Sequence, residues 1–147
     1  MHSTNYTSTF IEVADDCKAA VGTAPPEKEA KTVARMQYEL IHTHPYRYTS
    51  DDVIFMVYAA RNQIPETEFE AERAAFFSKG QPCLRSSPLG KTYGWGVHSD
   101  SESRIAIYPR DSESYERLRA DGSLRQLKAM RSSKLEHSII CFTRLFR

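Results

Sequence analysis

Between Tyr93 and Tyr108 the chain alternates apolar residues with glycine, small or polar ones, and this stretch restricts the fold more than any other. Trp95, Val97, Ile105 and Ile107 lie on two runs separated by the turn-forming SDSES of residues 99–103. Strand side chains alternate between faces, so a hairpin pairing Val97 with Ile105 and Trp95 with Ile107 gathers all four on one side. A third run, Gln81–Ser87, followed by the turn PLG at 88–90, adds Leu84 opposite Trp95. The expected apolar face is Leu84, Tyr93, Trp95, Val97, Ile105 and Ile107.

The same parity assigns the other face to Gln81, Cys83, Arg85, Gly94, Gly96, His98, Arg104 and Tyr108. Gly94 and Gly96 leave its centre without side chains. Arg85, His98 and Arg104 surround that hollow, with Lys79 and Lys91 at its ends. A shallow, cationic, glycine-floored surface suits a small anion or a planar ligand. The expected binding residues are therefore Lys79, Gln81, Arg85, Gly94, Gly96, Arg104 and Tyr108. The competing reading is the ordinary outer face of a half-exposed sheet, with the glycines marking bulges or a twisted corner.

Cys83 and His98 fall diagonally across one strand pair in this register, about 7–8 Å apart at Cα. They are the candidate nucleophile and base, with Arg85 placed to favour the thiolate. No motif accompanies the pair, so coincidence is the alternative. Metal-ligand spacing is absent: His42 and His44 precede Pro45 in a loop, and His2 and Cys17 stand alone. No metal is expected and no cofactor is specified. The adjacent acids Asp15–Asp16 and Asp51–Asp52 read as a turn and a helix cap. Phosphate-binding glycine loops and a nucleophile-elbow pattern are also missing.

The rest of the chain supplies helices. Thr9–Ala14 reads as a first strand. Glu27–His42 has Val33, Met36, Leu40 and Ile41 at helical spacing, and Pro45 stops it. The cluster TSDD at 49–52 caps a helix over Val53–Ala60, although that apolar run also fits a strand. A helix from Pro65 to Lys79 ends at Gly80, another covers Ser112–Ala120, and Ser123–Arg131 reads as a short basic helix. Strand, helices, meander, helices argues for an α+β fold: an antiparallel β-meander packed on one face by several helices.

The 147 residues, 40% hydrophobic and 27% charged, fit one soluble domain. No apolar run approaches the roughly 20 residues of a membrane span, and no secretory leader is evident. Cys17, Cys83 and Cys141 make an odd, sparse set, which favours reduced thiols and a cytoplasmic setting. The first 73 residues hold 7 Lys and Arg against 12 Asp and Glu, the remainder 13 against 7. The basic half could attract an anionic partner, or the halves could complement each other in the folded domain. Nucleic-acid binding would use Arg117, Arg119, Arg125, Lys128, Arg131 and Lys134, with Tyr108 for stacking, but a solvated helix face explains that spacing as well.

Several segments resemble a family of small, mainly bacterial proteins known only as a domain of unknown function. They are MHSTNY at 1–6 with TFI at 9–11, PY at 45–46, YTSDDV at 48–53, FFSKGQPCLR at 76–85, SPL at 87–89, YGWG at 93–96 with His98, and LKAMR at 127–131. The resemblance covers about residues 1–131. It implies a single domain and no particular activity, and it leaves 132–147 as a tail outside the shared region. Two segments coincide with the glycine-floored hollow, so the N-terminal MHSTNY is expected to pack near the same site. The leading expectation is a domain that binds a small anionic ligand and could be an enzyme. The alternative is an interaction module, pairing with a second copy or another protein through the exposed sheet or the apolar tail.

Overall fold

The computed structural model describes residues 1–132; the tail residues Ile139, Ile140, Phe142, Leu145 and Phe146 lie outside that range. The fold is α+β. Its sheet contains β1 (Thr9–Glu12), β2 (Trp95–Ser99), β3 (Ile105–Pro109) and β4 (Arg125–Lys128) in the order β3-β2-β1-β4. The sheet is mixed rather than an antiparallel meander, because β4 runs parallel to β1 while the other pairs are antiparallel. The helices are α1 (Val33–Thr43), α2 (Ser50–Arg61), α3 (Phe69–Phe76), α4 (Pro88–Lys91) and α5 (Glu113–Arg119). Among the described residues no helix is long and apolar enough to cross a membrane.

Parity held where register did not. β2 and β3 pair Val97 with Ile107 and Ser99 with Ile105, two residues away from the expected alignment. The Asp100 carboxylate fixes the turn by accepting from the amides of Glu102 and Arg104. A two-residue shift leaves every side chain on its face. Trp95, Val97, Ile105, Ile107 and Leu84 accordingly join Ile11, Ile41, Val53 and Leu89 in the main core, with Tyr93 packed against it.

The helix expected over Pro65–Lys79 is a 3-10 turn at Glu66–Glu68 followed by α3, which stops at Phe76 with Phe77 as its cap, short of Gly80. Two other expected elements differ in kind. Gln81–Ser87 forms no strand: Leu84–Ser86 is a 3-10 turn, and Ser87 caps α4 by accepting from the Leu89 amide with Pro88 at the first helical position. Ser followed by Pro is helix-start chemistry, and Pro82 lacks a ladder donor. β1 takes the vacated place beside β2. Ser123–Arg131 contributes β4 instead of a helix, since alternation places Leu127 beside the core with Ile11 as its ladder partner. Residues 53–60 are helical, within α2, and a capping box fixes the start: Thr49 Oγ1 accepts from the Asp52 amide, and the Asp52 carboxylate accepts from the Thr49 amide.

Helices cover both sheet faces. α1, α2 and α4 bury the Trp95 side. α5 covers the other, where Phe10, Val13 and Tyr115 form a second cluster with Tyr108, Leu118 and Leu124 against it. The expected bare hollow is therefore filled. A Cβ on Gly96 would lie 2.5 Å from Phe10 Cζ and 2.8 Å from a Tyr115 ring carbon. Gly94 has φ +80° and faces the Val21 carbonyl. These glycines permit close packing and form no ligand floor.

Candidate functional site

The N-terminal segment is threaded onto the start of α2. Asp51, 2% exposed, accepts from the Thr4 amide at 2.7 Å, the Thr4 hydroxyl at 2.6 Å and the Ser3 hydroxyl at 2.8 Å. Thr4 Oγ1 also bonds Ser50, and the Asp51 amide donates to Asn5 Oδ1. Three donors and the helix N-terminus together stabilise this buried carboxylate. The His2 amide donates to the Phe77 carbonyl, anchoring the segment beside the end of α3.

This docking delivers Tyr6 to Cys83. Their hydroxyl and thiol lie 3.3 Å apart, and the Arg125 guanidinium stacks over the Tyr6 ring at 5.9 Å. Burial raises the Tyr6 phenol above its ordinary range, as does the Cys83 contact, while Arg85 and Arg125 act in the opposite direction. Cys83 is half-buried and forms no disulfide. It lines a cavity of about 270 Å³ between α1, α2 and the 81–88 loop, together with Gln37, Tyr58, Arg61, Gln81 and Ser87. The Ser87 hydroxyl donates to buried Gln37 at 2.5 Å, and the Gln81 amide donates to the Phe76 carbonyl. The cavity wall is thus largely apolar, with Val33, Ile54, Val57 and Leu84 in it, and carries fixed polar groups at Gln37, Gln81 and Ser87 and one cation, Arg61.

The expected site residues divide into groups. Gln81 and Cys83 line the cavity. Arg85 lies close to Tyr6, but its Nε donates to the Lys128 carbonyl and its own carbonyl accepts from the Met130 amide, which caps the open edge of β4. Lys79 is exposed on the loop leading in.

His98 and Cys83 lie on opposite faces of the sheet and form no dyad. His98 Nδ1 meets the Tyr46 hydroxyl at 2.7 Å, which in turn meets the Tyr108 hydroxyl at 2.8 Å. Burial lowers the His98 pKa, partly offset by Asp100 and Asp121. Burial, then the Tyr108 contact, holds the Tyr46 phenol well above its ordinary range. Tyr46 adopts φ +60°, a strained backbone for a bulky residue. Arg104, 50% exposed, bonds the Arg47 carbonyl and pairs with Glu102.

Among the described residues, most cations of the basic C-terminal half are engaged with partners within the fold. Arg119 pairs with Glu116, Lys128 with Asp15 and Arg117 with Glu113, Arg125 stacks on Tyr6, and Tyr108 is engaged with Tyr46. Lys134 lies outside the described residues.

Tyr6 and Arg61 escaped assignment by residue pattern, and Asp51 read only as part of a helix cap. Only MHSTNY and TSDD, as family-like segments, signalled that the chain start mattered. Residues 1–135 match a family described as one of unknown function, DUF6157. The chain belongs to that family. No curated protein and no solved structure matches it. Every described residue falls inside the matched region, the Tyr6–Cys83 contact included.

Proposed function

We propose that this family member binds a small anionic molecule in the Cys83 cavity, in a reducing cytoplasmic setting, with the thiol presented to the ligand. The observation that carries the reading is the Tyr6–Cys83 contact at a cavity wall that also holds Arg61. Arg85 and Arg125 add positive potential behind Tyr6. Gln81, Ser87 and Gln37 supply neutral hydrogen-bonding groups beside it. A thiol so placed is the candidate nucleophile should the ligand be an electrophile.

The test combines a thermal-shift panel of phosphates, nucleotides and carboxylates with peptide-mapped alkylation. The expected result is that a panel anion raises Tm and slows modification of Cys83, and that Arg61→Ala removes both effects. Anionic iodoacetate should favour Cys83 over Cys17 more strongly than neutral iodoacetamide does. The reading is overturned if no anion protects Cys83 and the two reagents show the same Cys83-to-Cys17 preference.

A further inference from the structure

A second cavity, of about 360 Å³, opens between β1, α5 and β4, on the sheet face away from Cys83. Its lining carries three cations, Arg110, Arg119 and Lys128, and three acids, Glu12, Asp15 and Glu116. Four of the six satisfy one another: Lys128 pairs with Asp15 at 2.8 Å and Arg119 with Glu116 at 2.7 Å. Among the described residues Arg110 and Glu12 form no close ion pair, although Glu12 acts at longer range on Arg119 and Lys128.

Arg110 is aimed. Its Nη1 donates to the carbonyls of Cys17 at 3.3 Å and Ala19 at 3.1 Å, which fixes the guanidinium while leaving most of its donors unused. Glu12 shares the strand parity of Phe10, so its carboxylate is directed to the α5 side. It accepts no hydrogen bond from any described residue.

A third group points the same way. The Tyr115 side chain is 3% exposed and lines the cavity. Its oxygen accepts from the Val13 amide at 3.0 Å, and its own O–H has no acceptor among the described residues. Burial raises this phenol, so it stays protonated as a donor. A buried donor without a partner is costly, which makes an acceptor inside the cavity favourable.

We propose that this cavity binds a small zwitterion of the free α-amino-acid class, its carboxylate between Arg110 and the Tyr115 hydroxyl and its ammonium at Glu12. The balanced charge of the lining disfavours a dianion such as phosphate. The Cys83 cavity has no carboxylate in its lining, so the two sites select different ligands.

The test is an NMR titration of the full-length protein with the common free amino acids, their carboxamides, and inorganic phosphate. At least one amino acid should shift the Val13 and Tyr115 amide resonances saturably at millimolar concentration. Its carboxamide and phosphate should bind at least 10-fold more weakly. Glu12→Gln, which keeps shape and removes charge, should weaken the amino acid at least 10-fold, and so should Arg110→Lys. A well-dispersed spectrum establishes that each variant is folded, and if one does not fold the other decides. The proposal is overturned if no amino acid shifts those resonances, if phosphate or the carboxamide binds equally well, or if the folded charge variants bind unchanged. Unchanged alkylation of Cys83 throughout keeps this outcome separate from that of the other cavity.

Discussion

The Asp51 carboxylate takes both the amide and the hydroxyl of Thr4 through one oxygen, closing a contact across 47 positions of sequence. Asp51→Ala removes the acceptor for three buried or part-buried donors and is expected to cost about 3 kcal/mol. Thr4→Val should cost about 1–2 kcal/mol. Urea unfolding of the two single variants and the double variant measures both effects. The double-mutant cycle should give a coupling of about 1 kcal/mol or more; additive losses would mean that the contact contributes no net stability.

Gly96 is fixed by packing alone. Gly96→Ala places a methyl group 2.5 Å from the fully buried Phe10 ring, and should destabilise by about 1–3 kcal/mol. Gly80, with nothing within 4 Å of its added methyl, is the control and should change little on the same substitution. Denaturant midpoints distinguish them, and equal effects would contradict the α5 packing described above.

His98 sets a pH dependence with a definite sign. Its folded pKa is depressed below the ordinary 6.5 by burial, so the unfolded chain binds the proton more readily. Stability from this group is complete above about pH 6.5 and declines as pH falls from there towards the folded pKa. Asp52 acts lower: burial would raise it, but the Thr49 amide and Arg73 outweigh that and hold it below the ordinary 3.8, so its contribution is lost in stronger acid. Thermal melts between pH 7.5 and 5 should show a falling Tm, with a shallower slope in His98→Gln. An identical slope in the variant would assign the effect elsewhere.

Arg85 closes the β4 edge. Arg85→Ala deletes the 2.8 Å bond to the Lys128 carbonyl and should cost about 1 kcal/mol. Because an open strand edge invites pairing between chains, light scattering at high concentration should also rise. Hydrogen exchange at Lys128 and Ala129 reads the local loosening, and unchanged protection would count against this role.

How far the sequence carried depended on range. Alternation along 95–107 was enough to place Trp95, Val97, Ile105 and Ile107 on one core face, because pleat parity is a local property that survives a two-residue slip in register. TSDD marked the start of α2 for the same local reason: a capping box is completed within four residues. The partner of β2 was a different matter. Gln81–Ser87 has strand-like composition, yet β1 occupies that place, and β4 looked helical from its spaced basic residues until Ile11 supplied a ladder. Gly94 and Gly96 read as a bare hollow, because a missing side chain does not tell what occupies its space. Phe10 and Tyr115 filled the space, and Cys83 met Tyr6 instead of His98. Alternation, caps and turns were determined by the sequence itself, because they depend on neighbours within a few residues. Which strand lies beside which, and which side chain faces each cysteine or glycine, was decided only in the tertiary structure, where contacts dozens of positions apart compete for the same buried surface.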